Sequence, residues 1–314
     1  MKRLTFPRAG LLALLGALPA WCAAASIGIV TIAEGEASVV REAQRFAVAE
    51  GLRVRDEDIV RTGPDARLLR LELADGSALD LGPDTELMLQ PRAAGRFGER
   101  AATLYLMRGW LKAASGAGAL TGIASAAADL HTLAGTAVLR VAPEAVLVFV
   151  ESGQARVSEP DAATPEMALA EGDAFVRRGR TAPTSARRPP ADLLQGLPRA
   201  FADSLPRRTA RWQARPVEPG AGTPVSYAEV ARWIDGEAAL RALAVPRFAA
   251  HAGDRAFRAA LVAGVRSHPE WSRTLFPEKV RPKPTVIVQR TEPQPIRFDG
   301  VMNWPLAAVT ETTR

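Results

Sequence analysis

The chain has 314 residues and a formal net charge of +6. Its hydrophobic fraction of 47% is typical of a globular protein that buries a core. Its length allows about two domains. Acidic and basic residues are mixed along the chain, and residues 1–25 hold three basic and no acidic side chains. The remainder therefore carries a formal charge of only +3, which argues against nucleic-acid binding.

Residues 1–25 have the organisation of a secretory signal peptide. Lys2, Arg3 and Arg8 form a basic segment, an apolar run covers residues 11–18, and residues 23–25 are alanines suited to cleavage. The run is well short of the ~20 residues that span a bilayer. We therefore expect export to the periplasm, cleavage, and no stable membrane span afterwards. Retention of residues 11–25 as an inner-membrane anchor is the alternative.

Short strands and turns are predicted across residues 27–89. Leu69, Leu71 and Leu73 alternate with Arg70 and Glu72, which is the period of a half-buried strand with its charged side chains in water. A two-residue turn is predicted directly after this strand, at residues 75–76, because glycine adopts a positive φ without strain. The pattern indicates antiparallel sheet with turns every ~8–12 residues.

Strands return between residues 132 and 177. Residues 145–150 are nearly all apolar, which predicts a central strand covered on both faces. Ser152 and Gly153 are predicted to form the turn that follows it. The preceding stretch, residues 113–128, is rich in Ala, Gly and Ser; Gly116 and Gly118 do not fit a dinucleotide-binding motif, so a loop or a small-residue strand is expected.

Two ordered series of residues lie between residues 27 and 178. The first block consists of Gly35, Val39, Arg41, Gly51, Asp58, Arg61, Thr62, Gly63, Ala66, Leu69, Leu71, Asp75, Gly76, Ser77, Leu81, Gly82, Pro83 and Thr85. The second consists of Thr132, Gly135, Thr136, the run from Val146 to Val150, Gly153, Ala155, Arg156, Val157, Gly172 and Asp173. Together they resemble the FecR domain, a periplasmic β-domain of iron-uptake signalling proteins and of many stand-alone exported proteins. Ala134 stands where family members often have Arg.

The resemblance implies a mainly β fold, a short-stranded antiparallel β-sandwich or roll, over residues 26–180. A small α-helical region is expected over residues 191–281. Residues 181–190 contain three prolines, which disfavour sheet continuation, and are predicted to be the linker between them. Residues 282–314 are predicted to be an irregular C-terminal tail, with a single strand over residues 285–289.

The helical region carries recognisable start and stop signals. An apolar stripe with a period of four covers residues 193–205, and Pro198 is expected to kink or break it. Ser226 and Glu229 have the spacing of a capping box, and Asp254 is placed to cap a later helix. His268, followed by proline, is expected to mark that helix's end.

No catalytic constellation is visible in the sequence. His131, His251 and His268 lack metal-ligand spacing, and the acidic segment at residues 55–58 lacks the Gly and distal Glu of a calcium loop. No G-x-S-x-G motif is present. We therefore predict no enzyme activity, no cofactor and no metal, and assign no binding residues. Dispersed Asp and Glu residues leave a cell-envelope glycan hydrolase open as an alternative.

Two features favour binding to other molecules. Five tryptophans either fill small cores or line a groove for peptide or carbohydrate: Trp110, Trp212, Trp233, Trp271 and Trp304. Exposed sheet edges offer unpaired main-chain groups to an extended partner strand. The expected function is an exported, FecR-like, non-catalytic binding or scaffold protein whose partner is an envelope protein or a cell-wall glycan. Alternatives are the glycan hydrolase and a membrane-anchored regulator of signalling.

Overall fold

The computed structural model describes residues 26–90, 102–160, 165–215 and 217–277. The fold is mainly β with short helices after it, which confirms the predicted fold class. Within the described residues the strands are, in chain order, β1 (Ser26–Glu34), β2 (Ala37–Arg41), β3 (Gln44–Ala47), β4 (Arg53–Arg55), β5 (Ile59–Thr62), β6 (Leu68–Leu73), β7 (Ala78–Leu81), β8 (Glu86–Leu89), β9 (Leu104–Ala114), β10 (Leu120–Ala124), β11 (Asp129–Ala142), β12 (Ala145–Ser158), β13 (Met167–Ala170), β14 (Ala174–Arg178), β15 (Thr184–Ala186) and β16 (Thr223–Pro224).

Three long strands connect two layers of sheet. The first part of β9 pairs with β8 and β10, and its second part pairs with β7 and β11. β11 and β12 pair with each other along their whole length, while β12 pairs with β14 near its start and with β13 near its end. These pairings are antiparallel, except for the parallel pair of β9 and β10. The result is a roll in which shared strands pass from one layer to the other.

The β11–β12 hairpin bends where two glycines face each other. Gly135 is the register partner of Gly153, and both have positive φ values. A Cβ atom on Gly135 would lie 2.1 Å from the Ser152 carbonyl oxygen. Only glycine permits this approach, so the pair lets each strand serve both layers. The predicted turn at Ser152 and Gly153 is therefore wrong, because both residues lie within β12.

The prediction of a half-buried strand is also wrong for β6. All six of its residues are buried, including Arg70 and Glu72, which are 5% and 1% exposed. Local alternation reports one apolar face, but it does not reveal that a later segment of the chain covers the other face. Gly76 has the predicted positive φ, although the connection to β7 comprises the four residues 74–77 rather than two.

Six short helices come after β15 within the described residues, and β16 lies between the second and the third of them: α1 (Ala191–Gly196), α2 (Thr209–Gln213), α3 (Tyr227–Ile234), α4 (Ala238–Phe248), α5 (Arg255–Ala263) and α6 (Ser272–Leu275). Three predicted signals are confirmed. The capping box of Ser226 and Glu229 is formed at the start of α3, and Asp254 accepts a hydrogen bond from Phe257 N at the start of α5. The stripe breaks at Pro198, between α1 and a 3-10 helix, Arg199–Ala202.

The helices pack on the outer faces of both layers. Trp233, Phe248 and Trp271 pack against one face in a cluster that includes Ile59 and Tyr105. On another face, Leu193 and Phe201 pack with Trp110, Val138 and Leu147. The main core, between the layers, is built mostly of Val and Leu from the strands. Burial of these apolar surfaces supplies the driving force that helices this short lack alone.

The segment predicted as a linker, residues 181–190, contributes the strand β15, which pairs with β14. The domain boundaries themselves remain predictions. The predicted leader, residues 1–25, and the predicted tail, residues 282–314 with Trp304 and the strand at 285–289, lie outside the described residues. Within the described part of the chain, no helix combines the length and apolar character needed to cross a bilayer.

Candidate functional site

A groove of about 560 Å³ lies where the turn of the β11–β12 hairpin meets the middle of β9. Residues 140–146 form one wall and residues 107–110 contribute to another. Arg177 at the end of β14 and Arg232 on α3 complete the rim. A volume of this size lies within the range of ordinary ligand sites, ≈ 300–1,000 Å³. The groove is the strongest candidate for a functional site in the described residues.

Gly109 and Thr85 shape the groove at β9. Gly109 has a φ of +98°, and a Cβ atom there would lie 2.4 Å from Thr85 Cα, so the two main chains touch only because glycine lacks a side chain. The Thr85 hydroxyl oxygen accepts a hydrogen bond from Trp110 N at 2.9 Å. Thr85 is fully buried. This contact fixes the main chain at Trp110 and so helps to hold the indole that lines the groove.

Four arginines face the groove, and two of them are neutralised by carboxylates. Arg108 forms ion pairs with Asp84 and Glu86. Arg177 forms an ion pair with Glu159 and also donates to the carbonyl oxygen of Gly179. These two side chains are therefore largely occupied by structural contacts.

Arg140 and Arg232 are the other two arginines of the groove. The Arg140 guanidinium lies 4.9 Å from the Trp110 ring centroid, and Nη1 donates to the Asp192 carbonyl oxygen at 3.2 Å. Arg232 is exposed on α3. Within the described part of the chain, neither forms an ion pair. Glu144, exposed at the hairpin turn, adds one negative charge to the rim, so the unpaired charges leave an excess of one positive charge.

A second cluster of charged side chains is sealed inside the protein. Arg70, Glu72 and Asp80 lie on β6 and β7, and all three are buried. The segment that covers them, residues 198–209, is held mainly through its own main chain. Arg70 Nη2 donates to the carbonyl oxygen of Leu205 at 3.1 Å. From β9, Lys112 donates to the carbonyl oxygen of Phe201. We call this segment the strap.

Glu72 holds the end of the strap. Its carboxylate accepts hydrogen bonds from the main-chain N–H groups of Arg208, at 2.8 Å, and Thr209, at 3.0 Å. The hydroxyl groups of Thr31 and Thr209 donate to it as well. Thr209 begins α2, so the carboxylate also lies beside free N–H groups at a helix start. Arg70 and Glu72 thus bind main-chain atoms of the strap, while Asp80 contacts the guanidinium of Arg70.

The environments of Glu72 and Asp80 shift their pKa values in opposite directions. Burial alone would raise the pKa of Glu72, but its hydrogen bonds from Thr209, Arg208 and Thr31 outweigh burial and lower the pKa. Burial raises the pKa of Asp80, and the nearby charges of Arg70 and Lys112 only partly oppose it. Carboxyl groups with divergent pKa values are typical of glycosidase acid–base pairs. Here the strap covers both groups, so this arrangement gives a polymeric substrate no access to them.

The segment at residues 55–58 is a structural turn. Asp58 is 1% exposed, and its two carboxylate oxygens accept hydrogen bonds from Arg41 Nε at 2.9 Å and Arg41 Nη2 at 2.7 Å. The main-chain N–H of Arg55 donates to Asp58 as well. Because Arg41 already neutralises this carboxylate, a calcium role is disfavoured. Among the described residues, no group of three or more potential metal ligands comes together.

The three histidines make structural contacts. His131 Nε2 lies 2.8 Å from the Ser158 hydroxyl oxygen, and His251 Nε2 lies 2.8 Å from the Ala43 carbonyl oxygen. His268 is fully buried, between the carboxylate of Asp235 and the carbonyl oxygen of Leu261. Each ring is thus engaged by its surroundings in the described residues.

The tryptophans mostly fill cores. Trp233 and Trp271 are buried beneath the helices, and Trp110 is 8% exposed. Only Trp110 among the described tryptophans lines the groove, and Arg140 covers its ring face. Trp212 is partly exposed and lies beneath the guanidinium of Arg211. A row of exposed aromatic rings for a sugar is therefore not formed by the described tryptophans.

Sheet edges offer less binding surface than the sequence suggested. The outermost strands of the sheet, β15 and β16, contain three and two residues. β4 and β13 each pair with one neighbouring strand and contain three and four residues. Short edge strands provide few free main-chain groups, which is how many proteins prevent unwanted strand addition. The groove is the better candidate.

Sequence reasoning did not find the groove or the strap. The groove arginines come from β9, β11, β14 and α3, so no sequence spacing links them. Arg70 and Glu72 were visible, but they were interpreted as solvent-facing. The sequence offered one local clue to these two residues, their position on a strand that was predicted to bury its apolar face.

Comparison with known proteins gives weak similarity. No family model matches the chain, and no curated protein gives a significant match. Two crystal structures, each of a "putative anti-sigma factor" from Parabacteroides distasonis ATCC 8503, show partial similarity, with TM-scores of 0.34 and 0.32 and sequence identities of 14% and 13%. They cover 44% and 43% of this chain, which in turn spans 64% and 63% of theirs. Similarity at this level carries no argument about function.

Proposed function

We propose that the protein is an exported, FecR-like, non-catalytic binding or scaffold protein that acts in the cell envelope and contributes to envelope signalling. Its partner would be another envelope protein or a cell-wall glycan. The organisation of residues 1–25 and the ordered FecR-like positions support this proposal. The mainly β fold agrees with the fold that the resemblance implies.

The observation that carries the proposal is the groove beside the β11–β12 hairpin. Its walls are strands and a helix whose neighbouring residues are buried in the cores, so the site is preformed on rigid elements. Arg140 and Arg232 face it without ion-pair partners in the described part of the chain. Preformed concave sites with a few placed polar groups are the usual form of a binding site.

Site-specific crosslinking tests the proposal in living cells. A photo-crosslinking amino acid replaces Pro143, which is exposed on the groove rim, and the matched control replaces Glu171, which is exposed at the β13–β14 turn. We expect a discrete adduct with an envelope component from position 143 alone. Equal adducts at both positions, or none at either, would contradict a binding role for the groove.

Export is tested separately, by mass spectrometry of the full-length protein recovered from the periplasmic fraction. We expect a mature N-terminus at Ser26. A retained leader would favour the membrane-anchored regulator. Turnover on a panel of cell-wall glycans, abolished by a single carboxylate substitution, would favour the hydrolase instead.

A further inference from the structure

We infer that the groove binds an acidic peptide segment of a protein partner, whose carboxylates pair with Arg140 and Arg232. This inference rests on the proposed binding function and names the ligand class of the same site. It begins from charge complementarity. The carboxylates next to Arg108 and Arg177 belong to the protein itself, whereas Arg140 and Arg232 have none among the described residues.

Arg140 is held in place before a ligand arrives. Its guanidinium stacks over Trp110, and its one hydrogen bond to a described residue runs from Nη1 to the Asp192 carbonyl oxygen. Nε and Nη2 therefore remain for a carboxylate, which arginine binds well with two parallel N–H donors. A side chain already fixed loses little conformational freedom on binding, so more of the interaction appears as affinity.

Arg232 provides the second charge from a different element. It is exposed on α3, where the next two residues, Trp233 and Ile234, are fully buried beneath the helices. The helix backbone at this position is therefore fixed, while the side chain is free to meet a ligand. Because Arg140 lies on β11 and Arg232 on α3, the two charges reach the groove from different elements, and we assign each of them its own carboxylate.

The surface between the arginines favours a peptide over a sugar or a phosphate. Met107, Gly109, Val141, Ala142 and Val146 line the groove, so much of it is apolar and small. Successive side chains of an extended peptide point to opposite sides, so a segment of alternating acidic and small apolar residues presents both kinds of group to the groove. Sugar recognition relies on open aromatic faces, but Arg140 covers the ring of Trp110.

Fluorescence polarisation with the full-length mature protein tests the inference. The probe is a labelled peptide of alternating glutamate and valine with both ends blocked, and its matched control alternates glutamine and valine. We expect the acidic probe to bind and the neutral one to bind at least about fivefold more weakly, since charge-assisted hydrogen bonds are stronger than neutral ones. Binding of the acidic probe should weaken at high salt.

Arg140→Gln and Arg232→Gln should each weaken acidic-probe binding by about fivefold or more, as charged hydrogen bonds typically contribute. Arg266→Gln, an exposed arginine of the helical region that does not line the groove, should leave it unchanged. Because Arg232 is exposed, its variant reports on binding even if Arg140→Gln were to unfold. If Arg266→Gln weakens binding of the acidic probe as much as the groove variants do, the attraction between protein and probe is nonspecific and the inference is overturned.

Two competitors separate the ligand classes. The acidic-peptide inference is overturned if inorganic phosphate displaces the acidic probe at a concentration similar to that of unlabelled acidic peptide. It is also overturned if a soluble cell-wall fragment binds while neither peptide does. If neither peptide binds but crosslinking at position 143 still yields its adduct, the inference fails and the proposed function stands. If no adduct forms either, both fail.

Discussion

Arginines lie both on the face of β6 and β7 that the strap covers and in the groove beside β9, but they differ in whether the protein itself supplies their partners. On the covered face, Arg70 and Glu72 form hydrogen bonds with main-chain groups of the strap. In the groove, Arg140 and Arg232 remain without carboxylate partners in the described chain. A buried charge needs partners because its desolvation is expensive, whereas an exposed charge is solvated by water. The comparison distinguishes charges that hold the fold from charges that are available to a ligand.

The largest effect should follow removal of Glu72. Glu72→Ala leaves the buried guanidinium of Arg70 with Asp80, at 3.4 Å, as its one carboxylate partner among the described residues, and it frees the N–H groups of Arg208 and Thr209. Breaking a buried charged pair typically costs about 3–5 kcal/mol, and we expect a loss of that size in the free energy of unfolding. Urea denaturation measures it.

Glu36→Ala is the matched control, because Glu36 is exposed, and it should change the free energy of unfolding by less than about 0.5 kcal/mol. Limited proteolysis should also cut the strap faster in Glu72→Ala. Unchanged strap cleavage would mean that Glu72 does not hold this segment.

A smaller effect should appear in the pH dependence of two isosteric variants. The lowered pKa of Glu72 means that its contribution to stability is present above about pH 4.5 and is lost as the pH falls through the folded-state value. The advantage of wild type over Glu72→Gln should therefore shrink on acidification. The raised pKa of Asp80 has the opposite sign: its contribution is present below pH 3.8 and is lost as the pH rises through the folded-state value.

Wild type should accordingly gain stability relative to Asp80→Asn as the pH is lowered toward 3.8. Denaturation of the three proteins between pH 3 and 7 measures both trends, with the measurements at pH 7 as the reference. Parallel profiles for the two variants would show that the neighbouring carboxylates do not differ in environment.

Arg140→Gln should lower the free energy of unfolding by only about 0.5–1 kcal/mol. The reason is that the substitution removes a cation–π contact with Trp110 at a partly exposed site. Thermal and urea denaturation measure the change. A loss as large as that of Glu72→Ala would move Arg140 into the class of charges that hold the fold.

Arg232→Gln should have the smallest effect, below about 0.5 kcal/mol, because the side chain is exposed and has no partner in the described residues. Its free energy of unfolding should equal that of Arg266→Gln within error. Combined with weaker binding of the acidic peptide, an unchanged stability would mark Arg232 as a residue for recognition alone.

Local sequence patterns predicted the helices and strands far better than the contacts that these elements make with distant parts of the chain. The capping box at Ser226, the cap at Asp254 and the break at Pro198 were all correct, because each depends on atoms a few residues apart. The turn at Gly153 was wrong because glycine also serves where two strands touch. The choice between these roles depends on Gly135, which is distant in sequence.

The sequence by itself determined the mainly β first part, the helical part after it, the start signals of α3 and α5 and the break at Pro198. These follow from periodicity and from hydrogen bonds between near neighbours, which the order of residues encodes directly. Only the tertiary structure decided that the strap covers Arg70 and Glu72 and that Arg140 and Arg232 meet at one groove. Both outcomes depend on which distant main-chain and charged groups come within hydrogen-bond reach, and no local pattern carries that information.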